Sequence, residues 1–150
     1  MMHYSLRPAS DTDYDFLYRL NEATMRGYVT QSYGRWDDAV QAQHFQDRFD
    51  AAKIRIVMVA DRDIGMVEIE TTDCELVLAN IRIAAEYQRR GVGTTIINDI
   101  LAEAHRYGYP VRLRVLKVNP ARHLYERLGF SLVGETPTSY VMRALPPSLR

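Results

Sequence analysis

The patterning of this chain predicts an α/β fold, more narrowly an α+β arrangement around one mixed sheet. Three observations carry that reading. Short β-rich runs alternate with helix-period segments through all 150 residues, as expected of helices covering a sheet. Residues 54–60 and 64–70 are β-rich runs parted only by the tight turn Asp61-Arg62-Asp63, which makes a hairpin. Residues 75–84 and 111–118 are strands, each followed by a helix with an apolar stripe, and the first is apolar enough to lie centrally in a sheet.

Residues 3–7 open the chain as a short strand. Ser10 stands before Asp11 and Asp13, an N-cap with acids in the first helical turn. Phe16, Leu17, Leu20, Ala23 and Thr24 follow at helical spacing, so this helix runs to about Arg26, and residues 27–35 read as a loop. Residues 36–49 form a second helix, with Asp37 and Asp38 in its first turn and Val40, His44, Phe45 and Phe49 on one stripe. After the hairpin and the strand 75–84, residues 91–107 form a helix striped by Ile96, Ile97, Ile100, Leu101 and Ala104, with Gly108 as its stop. After strand 111–118, Asn119-Pro120 starts a short helix bearing Ala121, Leu124, Tyr125 and Leu128, stopped by Gly129. Residues 130–134 and 139–143 are the last strands. The order is β-α-α-β-β-β-α-β-α-β-β.

With 47% hydrophobic and 25% charged residues and no low-complexity run, the composition is globular, and the length fits one domain, residues 1–150. No apolar stretch reaches the length of a membrane span, so no membrane partner is expected. Met1 to Pro8 lacks the apolar core of a signal peptide. Pro146-Pro147-Ser148 reads as a tail. Cys74 is the only cysteine, which excludes an internal disulfide and fits a cytoplasmic setting; it reads as chemically indifferent, and no metal set is expected. Residues 1–79 hold 8 Lys and Arg against 14 Asp and Glu, and residues 80–150 hold 11 against 5. A basic second half suits a phosphorylated cofactor and an acidic first half a cation, unless the halves interleave and the surface averages out. The arginines alternate with apolar residues instead of clustering, so no nucleic-acid partner is expected.

The chemistry concentrates in two segments. Gln88-Arg89-Arg90-Gly91-Val92-Gly93-Thr94 follows a strong strand and opens a strong helix. A helix start presents N–H groups and a positive dipole, and glycines let main chain approach a ligand, which suits phosphate oxygens. The dinucleotide fingerprint needs a further glycine at position 96, which is Ile, and the nucleotide P-loop signature is absent. On its residues alone the segment also reads as a plain strand-to-helix turn with surface arginines. The second segment is Asn119-Pro120-Ala121-Arg122-His123-Leu124-Tyr125-Glu126-Arg127-Leu128-Gly129-Phe130. Together, Gln-Arg-Arg-Gly-Val-Gly and Asn-Pro-Ala-Arg-x-Leu-Tyr-Glu-Arg-Leu-Gly-Phe strongly resemble the GNAT acetyltransferases, with matching strand–helix order across residues 75–134. One departure is Ala85, where many relatives carry proline, a change in loop stiffness.

The resemblance implies the GNAT acyl-CoA N-acyltransferase fold, often dimeric, and an N-acetyltransferase moving an acetyl group from acetyl-CoA to a primary amine by direct attack. The acceptor is a small molecule or a peptide amine. It implies that backbone amides across Arg89 to Thr94 bind the pyrophosphate of coenzyme A, with Gln88 leading in. The strand edge Ile81, Arg82 and Ile83 pairs with the pantetheine arm and offers an N–H to the thioester carbonyl. Asn119 holds the cofactor arm or the helix start, with Arg122 beside it. Tyr125 protonates the departing thiolate. On its own, Tyr125 lies on an apolar stripe and reads as core; His123 and His105 read as surface. A non-catalytic acyl-CoA-binding module remains the alternative.

No general base is obvious. A lysine-like amine is neutral at pH 7 only about once in 2,500 molecules, a penalty near 4.6 kcal/mol, so its proton must be removed. The position of the strand glutamate used by some relatives is Val77. Glu68 and Glu70, on one face of the preceding strand, are the better candidates, with Glu22 third. The resemblance also implies an acceptor pocket walled by helix 1, the following loop and the last strands. There Tyr28, Tyr33 and Trp36 offer aromatic faces to an ammonium group, with Tyr140 closing the far side; core packing is the competing reading for these aromatics.

Overall fold

The computed structural model describes residues 3–147; Met1, Met2 and Ser148, which enter the readings of the N-terminus and tail, lie outside the described residues. The elements are β1 (Ser5–Pro8), α1 (Tyr14–Tyr33), α2 (Asp38–Arg48), β2 (Ile54–Val59), β3 (Arg62–Thr71), β4 (Leu76–Ile83), α3 (Val92–Arg106), β5 (Val111–Leu116), α4 (Ala121–Arg127), β6 (Ser131–Glu135) and β7 (Ser139–Ala144). This is the expected order. The strands hydrogen-bond as one 7-stranded mixed sheet in the order β1-β2-β3-β4-β5-β7-β6, with β4 central as its apolar sequence requires. The chain forms two compact units, Met1–Glu68 with Asn80–Val92, and Ile69–Ala79 with Gly93–Arg150.

In the first unit β1 and β2, and β2 and β3, pair antiparallel, with a register shift at Val57/Met58. The hairpin turn differs from expectation. It is Ala60-Asp61, both left-handed (φ 50 and 63), while Arg62 and Asp63 already belong to β3. A two-residue turn with both centres at positive φ matches the twist of the flanking strands, which outweighs the strain at non-glycine residues. Leu17, Leu20, Ile54, Ile56 and Met66 form the core here, with Phe45 and Phe49 half-buried against it. Tyr14 meets both phenylalanines edge-on, at 5.2 and 5.0 Å between centroids.

The loop expected at residues 27–35 is helical as far as Tyr33. Gly27 lies inside α1, and the glycine that ends the helix is Gly34, at φ 91 with its N–H on the Thr30 carbonyl. The apolar stripe fades beyond Thr24, which hid this extension. Helix α2 is shorter than residues 36–49: Asp37 caps it by accepting from the Val40 N–H. Its expected stripe is also narrower, since α2 buries no residue and Val40 is exposed.

In the second unit β4 pairs parallel with β5 from Leu76↔Val111 to Leu78↔Leu113. β5 and β7, and β7 and β6, pair antiparallel. Val111, Leu113 and Val115 are buried, giving β5 one core face. Helix α3 buries its whole predicted stripe, and Gly108 stops it at φ 78.

Two predictions follow from the first unit. The Arg7 guanidinium donates to both Asp13 carboxylate oxygens and to Asp63. Chiefly through that bond, and against the effect of its own burial, Asp13 is held below the usual carboxylate value of 3.8. A folded pKa below the unfolded one stabilises the fold above the unfolded value, and the gain is lost as pH falls through the folded value. Asp13→Asn is therefore expected to cost about 1–3 kcal/mol at pH 7 and to flatten the loss of stability below about pH 4, read by urea denaturation at stepped pH. An unchanged acid limb would contradict this. Separately, a β-carbon at Gly65 would collide with the Arg82 carbonyl oxygen and crowd the Ile83 side chain. Gly65→Ala is expected to cost about 2–3 kcal/mol in the same assay, and a loss under about 0.5 kcal/mol, the ordinary scatter of harmless changes, would refute the close approach.

Candidate active site

The turn after β4 is built from its anchors outward. The Ala84 N–H donates to the Ile64 carbonyl at 2.8 Å, tying the end of β4 to β3. One 3-10 turn, Ala85–Tyr87, follows. The Gln88 side chain then reaches back to donate to the Ile83 carbonyl at 2.8 Å. Arg89 (φ 62) and Gly91 (φ 87) are both left-handed, an arrangement that turns successive N–H groups toward one side. Val92 is fully buried and pins the start of the 15-residue α3. Arg89 and Arg90 stay exposed, and the Arg90 guanidinium lies 5.6 Å from the centre of the Tyr87 ring. A β-carbon at Gly91 or Gly93 would meet nothing within 4 Å, so the outer side of this turn is open. Open main chain at a helix start, flanked by two cations, fits a diphosphate. The residues read as a cofactor cradle, Gln88 to Thr94, thus share one turn.

The same unit contains a cavity of about 190 Å³. Its polar lining is Asn21 from α1, Gln41, His44 and Arg48 from α2, Glu68 from β3, and Asn80 and Arg82 from β4. Phe45, Phe49, Leu17, Ile54 and Met66 supply its apolar wall. A hydrogen-bond chain crosses it: Arg82 donates to the Asn80 side-chain oxygen at 2.7 Å, and the Asn80 amide donates to Glu68 Oε1 at 2.8 Å. The Arg82 carbonyl faces Gly65 on β3, so by strand alternation the polar groups of Ile81 and Ile83 face away from β3. Side chains cover both carbonyls there, Arg82 on Ile81 and Gln88 on Ile83. Glu70 and Glu22 do not line the cavity; Glu22 pairs with Arg26 at 3.2 Å. Tyr28 and Tyr33 belong to the last turns of α1 and not to a loop. Trp36 is buried, donates to Asp38 at 3.1 Å and has the Arg26 guanidinium 5.9 Å from its ring centre. None of these three aromatics lines the cavity.

The sequence reading missed Asn80, Arg48, His44, Gln41 and Asn21. A signal existed for Asn80 and Arg82: they are the polar, alternating positions of an otherwise apolar strand. The residues on α2 are brought in by packing alone.

In the second unit the Asn119 side-chain oxygen accepts from the Ala121 N–H at 2.9 Å, so Asn119 holds the start of α4. Tyr125 is buried, 8% exposed, with its ring edge-on to Phe130 at 5.8 Å. Tyr140 meets two cations, Lys117 at 5.3 Å and Arg122 at 5.0 Å from its ring centre. Among the described residues no group of three or more His, Cys, Asp or Glu could hold a metal, and no helix is long and apolar enough to cross a membrane.

A family model, "Acetyltransferase (GNAT) domain", matches residues 24–146. The chain belongs to the GNAT acetyltransferase family. No curated protein matches it by sequence. Solved structures show the same fold. The PaiA N-acetyltransferase from Thermoplasma acidophilum, in complex with coenzyme A, superposes with a TM-score of 0.77 at 15% identity, covering 96% of this chain and 99% of that one. The ribosomal-protein-S18-alanine N-acetyltransferase from Escherichia coli gives 0.66 at 18% identity over 96% and 94%. Arabidopsis thaliana Naa50, in complex with the bisubstrate analogue CoA-Ac-MVNAL, gives 0.65 at 18% over 93% and 97%. GNAT acetyltransferases use acetyl-CoA, and the turn of this GNAT chain has the main-chain shape and charge for its diphosphate.

The two glycines of that turn should separate on substitution. Gly91 sits at φ 87, a conformation costing an L-residue about 1–2 kcal/mol. Gly93 lies inside α3 with open space and no positive φ, where alanine gains about 0.5–1 kcal/mol. Thermal unfolding is expected to place Gly91→Ala below the parent and Gly93→Ala at or above it; the reverse order would refute the turn geometry.

Proposed function

We propose that this GNAT chain is an N-acetyltransferase that passes the acetyl group of acetyl-CoA directly to a primary amine. The observation that carries the reading is the left-handed pair Arg89 and Gly91 in the turn that leads into α3, strained at Arg89 and open on its outer side. The family match spans residues of both units, which supports reading residues 1–150 as one catalytic domain. When bound, the cofactor supplies a thioester carbonyl open to attack by an amine.

The main-chain amides from Arg89 through Thr94 hold the diphosphate, and Arg89 and Arg90 offset its charge. Ile81 and Ile83 turn their N–H groups to the side of β4 away from β3, where they bind the pantetheine arm and steady the carbonyl oxygen. With both neighbouring carbonyls already covered, that edge presents donors to an oxygen that gains negative charge. Glu68 takes the amine proton. Its position in a polar cavity, oriented by Asn80, favours it over Glu70 and Glu22. Tyr125 delivers a proton to the leaving sulfur.

Acetyl-CoA at 100 times its Kd should stabilise the protein by about 2.7 kcal/mol, seen as a raised Tm. Tyr125→Phe should lower turnover about a hundredfold while keeping that shift. No shift at saturating acetyl-CoA would remove the cofactor reading, and equal turnover would remove the acid role. A full shift with no thiol release from any amine would leave a binding module.

A further inference from the structure

We infer that the acceptor is a free amino acid, seated in the cavity of the first unit with its amine on Glu68 and its carboxylate on Arg48. This rests on the N-acetyltransferase reading and names its substrate class. The cavity is too small for a drug-sized ligand, at about 190 Å³, against roughly 300–1,000 Å³ for such sites. Its charges are also mixed: Glu68 is the only acid in the lining, which also holds Arg48 and Arg82. A polyamine would bring two or more cations to one carboxylate and two guanidinium groups, which repels it. An amino acid brings one charge of each sign.

The details match that division. Asn80 donates to one oxygen of Glu68, and Arg82 fixes Asn80 from behind, so Glu68 is held as an acceptor aimed by its neighbours. Its Oε2 takes no hydrogen bond from the described residues, which leaves it for an amine. The Arg48 guanidinium makes no ion pair or hydrogen bond with the described residues, and guanidinium pairs with carboxylate through two parallel bonds. Phe45 and Phe49 give the amino acid side chain an apolar wall. The cavity also lies along the right stretch of β4: Asn80 and Arg82 line it, while Ile81 between them turns its main chain to the proposed thioester edge. A peptide N-terminus lacks the carboxylate beside its amine and would leave Arg48 unused.

The test pairs each L-amino acid with its carboxamide, beside a diamine and a short peptide, using the full chain and acetyl-CoA and reading free thiol and product mass. Amino acids should be acetylated, and the carboxamides should show KM raised about ten- to hundredfold, the value of one charge-assisted hydrogen-bond pair. Arg48→Gln should bring the acid-to-amide ratio close to one while the Tm shift with acetyl-CoA stays. Equal or better use of carboxamides, diamine or peptide would overturn the assignment, as would an undiminished ratio in Arg48→Gln. Calorimetric titration of the same acid and amide pairs, with and without coenzyme A, decides the matter independently of turnover. Preference for the acid supports the inference, and equal or absent binding overturns it. Loss of the acetyl-CoA shift, or of all thiol release, counts against the transferase reading alone.

Discussion

Where β3 passes the Arg82 carbonyl, residue 65 is glycine, and any side chain there would strike that oxygen. The close approach, continued by the Ala84 N–H on the Ile64 carbonyl, fixes the last residues of β4 in height and rotation. Much follows from it. With Arg82 turned toward β3 by its carbonyl, Ile81 and Ile83 turn the other way. With the strand rotation set, Asn80 and Arg82 share the face that meets Glu68. The turn that begins at Ala84 also starts from a fixed point, so its left-handed residues can present the main chain in one direction.

The polar chain from Arg82 through Asn80 to Glu68 is the second constraint, and it depends on the first. Half-buried polar groups are costly unless they are matched, and here each of the three side chains has at least one partner suited to its chemistry. The Asn80 oxygen faces a guanidinium and its amide faces a carboxylate, so the side chain has one stable orientation. The carboxylate is thereby oriented by a neutral amide. Stability and chemistry use the same residues, and a change at Asn80 would disturb both.

Much of the architecture was legible because punctuation and periodicity agreed. Helix α3 had a wide stripe and a glycine stop, and α4 had an asparagine cap, a proline and a glycine. Both were placed within a residue or two. Legibility failed where those signals parted. Gly27 looked like a helix stop yet has no tertiary demand placed on it, while Gly34 carries the left-handed cap. The turn Ala60-Asp61 lacks the glycine or asparagine that marks such turns. The turn at residues 88–94, proposed as the cofactor cradle, was visible because one continuous segment forms it. The cavity was not, because its walls come from α1, α2, β3 and β4, and no local pattern ties Arg48 to Glu68. The aromatics at 28, 33 and 36 attracted attention by composition alone, whereas packing sends Trp36 inward and covers its face with Arg26.

That inward placement has a spectroscopic consequence. Trp36 is the sole tryptophan among 150 residues, and it is buried between the end of α1 and the start of α2 with its indole N–H on Asp38. Red-edge excitation therefore isolates one emitter in a known environment. Its emission maximum and quenching report on how α2 sits in the first unit, the helix that brings Arg48 to the cavity, with no contribution from any indole elsewhere in the chain.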